Sequence, residues 1–127
     1  MSKVLLVGHC GPDATYLRMA VKAAGENVAL SSVDDNAALE QALKVGVNLI
    51  LFNRELDYGF EPATGIEMIR VLKPQYPQVR MMLISNHADA QAAALAAGAI
   101  PGFGKREIGS ARVKQLLRDL MDAETKT

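Results

Sequence analysis

Short apolar runs recur along this chain, and a longer stretch with helical spacing separates each from the next. Residues 4–7 (Val-Leu-Leu-Val), 49–52 (Leu-Ile-Leu-Phe) and 81–84 (Met-Met-Leu-Ile) are apolar at every position. Uninterrupted runs of this length fit strands buried on both faces and are too short for an average helix. Residues 28–31 form a weaker run, and residues 100–104 a weaker one still, broken by Pro101, Gly102 and Gly104. Between them the period changes. Leu17, Ala20, Val21 and Ala24 fall at i, i+3, i+4 and i+7, and Gly25 follows as a stop. A second helix is expected from an Asp34 or Asp35 cap through Ala38, Leu39, Ala42 and Leu43 to Gly46. The third carries Ile66, Ile69 and Leu72 and ends before Pro74. The fourth, residues 89–97, is Ala-rich and closes at Gly98, and the fifth starts near Ser110 with Val113, Leu116, Leu117 and Leu120 on one face.

This order predicts an α/β chain of (βα)5 type: a five-stranded parallel sheet, doubly wound and sandwiched by helices, in the flavodoxin-like manner. At 127 residues the chain is expected to form one domain, residues 1–127, with an ordered core over about residues 3–122. Such folds bind ligands beyond the carboxyl ends of their strands. Residues 8–13, 53–64, 85–87 and 105–107 are therefore where function is expected.

Charge and cysteine content narrow the classes. Fourteen Lys and Arg balance fourteen Asp and Glu, so the net charge is zero. That speaks against nucleic acid or a membrane surface as the main partner. Cys10 is the single cysteine, which excludes an intramolecular disulfide and a cysteine-rich zinc site. His9 and His87 lie too far apart in sequence for a local metal motif, and no metal or cofactor is expected. The apolar run at residues 4–7 is too short for a signal segment or a membrane span, so a cytoplasmic location is expected.

Several segments together resemble the receiver domain of two-component response regulators. Asn48-Leu49-Ile50-Leu51-Phe52-Asn53 resembles that family's third strand, Gly65-Ile66-Glu67-Met68-Ile69-Arg70 the start of its third helix, and residues 79–85 its fourth strand, ending in Ser85. Ala97-Gly98-Ala99 followed by Lys105 matches the approach to the family's lysine. The resemblance implies a receiver-type fold covering essentially the whole chain. It also implies roles by position: Asn53 stands where the family has its phosphoacceptor Asp, and Gly8 and His9 stand where it has the acidic pair that holds Mg²⁺. An aspartyl phosphate needs a carboxylate nucleophile, and an amide does not substitute for one. Magnesium likewise wants charged oxygen ligands. The expected outcome is an atypical receiver, or pseudo-receiver, that lacks catalysis and acts independently of phosphorylation as a protein-interaction module.

Asp13, Glu55, Ser85 and Lys105 are what remains of the pocket. Asp13 is expected either as the N-cap of the first helix or turned back towards the crevice. Glu55 is expected in solvent. Lys105 needs a partner if buried, and the candidates are the Asn53 carbonyl oxygen, Ser85 and Asp13. The family's aromatic switch position, three residues before the lysine, is Gly102, and Phe103 is displaced by one onto the opposite side of the strand. Arg106 stands where the family has Pro. Residues 54–64 make a connection longer than the family's, carrying Leu56, Tyr58 and Phe60, which either plug the pocket or form an interaction loop. Protein partners in a signalling pathway are expected, with a homodimer through the face made by the fourth helix, fifth strand and fifth helix. An alternative from another class is a small enzyme or ligand-binding protein using the crevice around His9, Cys10, Asp13 and Lys105, with His9 lowering the Cys10 thiol pKa. Phosphorylation moved to Asp57 is a third possibility.

Overall fold

Strands β1 (Ser2–Val7), β2 (Val28–Val33), β3 (Leu49–Asn53) and β4 (Arg80–Ile84) pair in parallel, in the order β2-β1-β3-β4, in a computed structural model of the chain. The structure describes residues 2–9, 11–25, 27–56 and 59–125, with side chains up to Met121. Helices α1 (Gly11–Ala24), α2 (Asn36–Val45), α3 (Gly65–Leu72), α4 (Ala88–Ala97) and α5 (Ala111–Thr125) alternate with the strands. The two-residue period of a strand divides the apolar runs between two cores. Val4, Leu6, Leu49, Leu51, Met82 and Ile84 face α1 and α5, where Leu17, Val21, Val113 and Leu117 meet them. Leu5, Val7, Ile50, Phe52, Met81 and Leu83 face the opposite way, towards Leu39, Leu43, Met68, Ile69 and Leu72 of α2 and α3 and Ala90 and Ala94 of α4. Both faces are thus buried, as uninterrupted apolar strands require.

The helix ends follow local chemistry. Asp35 is the cap of α2, its Oδ1 accepting from the Ala38 N–H at 2.8 Å, and Thr64 caps α3 through the Glu67 N–H at 3.3 Å. Helix α4 stops at Gly98, whose φ of 113° is open to glycine at little cost. Helix α1 begins earlier than its apolar face suggests, at Gly11, with Pro12 in the first turn where a missing N–H costs nothing.

The fifth strand expected over residues 100–104 is reduced to one parallel bridge, between Ile84 and Phe103, so among the described residues the sheet has four strands and not five. The Ile100 N–H reaches the Met81 carbonyl and the Ser85 N–H reaches the Phe103 carbonyl, both at 2.9 Å. Between these bonds Pro101 has no N–H to give, and Gly102 lies so close to the Leu83 carbonyl that a Cβ would collide with it. The side chain of Gln91, on α4, fills the gap. Its amide donates to the carbonyls of Leu83 at 2.9 Å and Ser85 at 3.1 Å, and approaches that of Phe103 at 3.4 Å.

Because β1 lies between β2 and β3, the chain winds one way from β1 to β2 and the other way from β3 outward. The reversal leaves a crevice above the ends of β1 and β3.

Candidate functional site

The crevice gathers residues from the ends of β3 and β4 and from the segment at Lys105. A cavity of about 210 Å³ is lined by Asn53, Glu55, Ser85, Asn86, His87 and Lys105, among others. Four of the residues expected here, Asn53, Glu55, Ser85 and Lys105, therefore do meet. Each of the four bonds to the backbone or to a neighbour outside this set: Asn53 to Gly8 and Arg54, Glu55 to Arg54, Ser85 to His87 and Lys105 to Asp13.

Asn53 is engaged on both sides of its amide. Its Nδ2 donates to the Gly8 carbonyl at 3.0 Å, tying the end of β3 to the end of β1, and its Oδ1 accepts from the Arg54 N–H at 3.0 Å. The first of these bonds needs a donor, which a carboxylate at position 53 would lack. Gly8 itself has φ 76°, and a Cβ built on it would collide with Cδ2 of Leu56. The long connection after β3 accordingly acts as a plug on the β1 end. Its base is closed by a bridge between Glu55 and Thr64, with the Leu56 N–H on the Ala63 carbonyl at 2.8 Å and the Gly65 N–H on the Arg54 carbonyl at 2.9 Å. Its far side is fastened to the start of α2. The Asn36 N–H donates to the Gly59 carbonyl at 3.0 Å, and the Asn36 side chain bonds the Glu61 carbonyl at 2.8 Å and N–H at 3.0 Å.

Leu56 and Phe60 are 8% and 4% exposed and belong to the core beneath α2 and α3. The expectation of an interaction loop presenting Leu56 and Phe60 is corrected by that burial. The side-chain-free surface of Gly8 gives Leu56 a place to pack, and burying two large apolar groups outweighs displaying them. Tyr58 and Asp57 lie outside the described residues, as does Cys10.

Lys105 takes Asp13 as its partner, with Nζ to Oδ2 at 2.8 Å. Asp13 occupies the first turn of α1, two residues inside its start, and turns towards the crevice; the N-cap expectation is set aside by the earlier start at Gly11. Ser85 is buried, and its Oγ accepts from the His87 N–H at 3.2 Å, which sets the turn into α4. Glu55 stays in solvent beside Arg54, at 3.6 Å.

His9, at the end of β1, has a clear electrostatic signature. Its Nε2 lies 2.8 Å from the Leu51 carbonyl, so the proton is assigned to Nε2, and buried Nδ1 has no hydrogen-bond partner among the described residues. Burial holds the imidazole pKa below its ordinary value, opposed by the Leu51 bond. The Lys105 charge lowers it further and the Asp13 charge raises it. With a folded-state pKa below the unfolded one, the unfolded chain binds the proton first. The His9 contribution to stability is therefore complete above about pH 6.5 and is lost as pH falls from there through the folded pKa. Urea melts between pH 8 and pH 5 should show wild type losing stability relative to His9→Gln, with a slope no steeper than about 1.4 kcal/mol per pH unit, the one-proton limit. Parallel pH profiles for the two proteins would refute a buried neutral His9.

Gln91, Asn36 and the Gly8–Leu56 contact shape the surroundings of the site and are not singled out by the sequence. A signal exists for Gln91, the only long polar side chain in an Ala-rich helix. None exists for Leu56 on Gly8, which joins residues far apart in the chain.

Among the described residues no three His, Cys, Asp or Glu side chains are placed to hold a metal ion. The Mg²⁺ that receiver-type sites hold does not fit the residues present: an N–H donor occupies position 53, a backbone carbonyl is already bonded at Gly8, and Leu56 covers the space beside it. No described helix is long and apolar enough to cross a membrane.

No protein-family model matches the sequence, and no curated protein matches it. Solved structures do. The beryllofluoride-activated NtrC4 receiver domain dimer superposes with a TM-score of 0.77 at 15% identity, over 97% of this chain and 98% of that one. The non-phosphorylated receiver domain of the stress response regulator RcsB from Escherichia coli gives 0.74 at 17% identity, over 96% and 94%. The receiver domain of a DNA-binding response regulator from Colwellia psychrerythraea gives 0.76 at 14% identity, over 96% and 99%. The fold is therefore that of receiver domains, an α/β fold with a helix-flanked parallel sheet.

Proposed function

We propose that this receiver-fold chain is a signalling module that works through protein contacts without aspartyl phosphorylation and without enzymatic activity of its own. The observation that carries this reading is the Asn53 amide donating to the Gly8 carbonyl. It closes with a neutral hydrogen bond the junction that, by the resemblance, a cation and three carboxylates would otherwise occupy. The Lys105–Asp13 pair supports it, because the ammonium is already neutralised by a carboxylate of the same chain. Gly8 and His9 are then degenerate acidic-pair positions, Asn53 a degenerate acceptor position, and Asp13, Glu55, Ser85 and Lys105 a polar remnant.

The partner is a protein of a signalling pathway, and the α4 face beside the bridge at Phe103 is a route to a homodimer, with Leu95 exposed among alanines. Zero net charge argues against a nucleic-acid or membrane partner. The enzyme alternative around His9, Cys10, Asp13 and Lys105 gains no support from an imidazole committed to Leu51 and an ammonium committed to Asp13.

Amide NMR titration with Mg²⁺ and then beryllofluoride tests the proposal. Resonances of Gly8, Asn53, Ser85 and Lys105 should stay in place at millimolar Mg²⁺ with and without the phosphoryl mimic. Saturable shifts at those residues would overturn it.

A further inference from the structure

A second concavity lies away from the crevice, on the α1–α5 side of the molecule. It is a groove of about 690 Å³ between α1 and the turn that leads into α5, within the size range of sites for small organic molecules. Its floor is apolar: Ala20 and Ala23 of α1, and Ile108. Tyr16 and Met19, one helical turn apart on α1, stand beside it 60% and 63% exposed. With the alanines and Ile108 they make one continuous apolar strip along the groove, the form in which exposed apolar surface serves binding.

The charge around the groove is one-sided. Lys105, Arg106 and Lys114 line it, and no carboxylate does among the described residues. This departs from the balance of the whole chain, which has as many acids as bases. Lys105 is shared with Asp13, whereas Arg106 and Lys114 form no ion pair with a described residue. A guanidinium and an ammonium at the edge of an apolar trough select an anionic head joined to an apolar body, the guanidinium by its two parallel N–H donors.

We propose that this groove binds a small amphipathic anion, an alkyl or aryl carboxylate, with its apolar part along Tyr16, Met19 and Ala20 and its carboxylate at Arg106 and Lys114. The apolar body supplies affinity by leaving water, and the cationic edge supplies orientation and selectivity. Lys105 lines both this groove and the crevice of Asn53. A carboxylate within reach of its ammonium competes with Asp13.

The test is amide NMR titration of the full chain with decanoate and, separately, with decyltrimethylammonium, each below its micelle concentration. Decanoate should give saturable shifts at residues 16–23 and 106–114, and the cationic amphiphile should bind at least tenfold more weakly. Arg106→Glu with Lys114→Glu should weaken decanoate at least tenfold while keeping a dispersed spectrum. If that pair fails to fold, the Gln variants at both positions should weaken it at least threefold. Equal affinity for both head groups, or no saturable shift with decanoate at millimolar concentration, overturns the proposal. So do concentration-dependent shifts at the same residues in the absence of ligand, which would assign the groove to a second copy of the chain. A synthetic Glu-rich amphipathic helical peptide that binds there while decanoate does not would assign it to a protein partner and overturn the proposal as well.

Discussion

Replacing Gly8 by Asp, which returns a carboxylate to the end of β1, is expected to lower the melting temperature by roughly 8–20 °C and to create no metal site. Two costs add. The backbone at Gly8 has φ 76°, and an L-residue held at positive φ loses about 1–2 kcal/mol. The new Cβ also enters the space of Leu56, and forcing atoms into a packed site costs about 1–3 kcal/mol. Against a total stability of about 5–15 kcal/mol, the sum is a large share. Thermal unfolding followed by circular dichroism reads the shift. A double-mutant cycle with Leu56→Ala separates the causes: Gly8→Asp should cost at least about 1 kcal/mol less when Leu56 is truncated. An unchanged melting temperature for Gly8→Asp alone would mean that Leu56 does not plug the site.

The other large effect is at Phe103. It is 1% exposed and packs with Met82, Ile84, Ile108, Val113 and Leu117 between the sheet and α5. Phe103→Ala should cost about 3–5 kcal/mol, seen as a lower urea midpoint at unchanged slope. Its backbone is held as well, through the Ser85 N–H on its carbonyl at 2.9 Å. A ring buried to this degree is expected to stay in place, and the size of the Phe103→Ala loss is the measure of that expectation. A loss below about 1 kcal/mol would show a loosely held ring.

Where burial is two-sided, the sequence displays the fold plainly. Residues 4–7, 49–52 and 81–84 have no polar position to spoil a buried strand, and all three are strands. The edge strand β2 runs beyond the signal at residues 28–31, through exposed Ser32 to Val33. An edge position asks for less hydrophobicity and so signals less. The fifth strand fails for a different reason. Pro101 and Gly102 keep the chain beside β4 but remove the N–H and the side-chain space a full ladder needs. At the site, residue identity locates the crevice, because Asn53, Ser85 and Lys105 end up together. It does not reveal that Asp13 takes Lys105 over a cap, since that depends on a helix start set by Pro12. The fate of Leu56 and Phe60 is also hidden, because a loop's apolar groups bury or not according to a cavity made elsewhere in the chain.

The amide of Gln91 has a consequence for how copies of this molecule can meet. A sheet with free edges invites further strands, and the invitation is a row of unanswered carbonyls and N–H groups. On the β4 side that row is answered twice, by residues 100–103 and by a side chain reaching in from α4. On the β2 side, Ser31 and Ser32 face water and the outer ladder of residues 28–33 has no neighbour among the described residues. Growth by backbone pairing is therefore polar: the outer row of β4 is already answered, and among the described strands the row left open is that of β2.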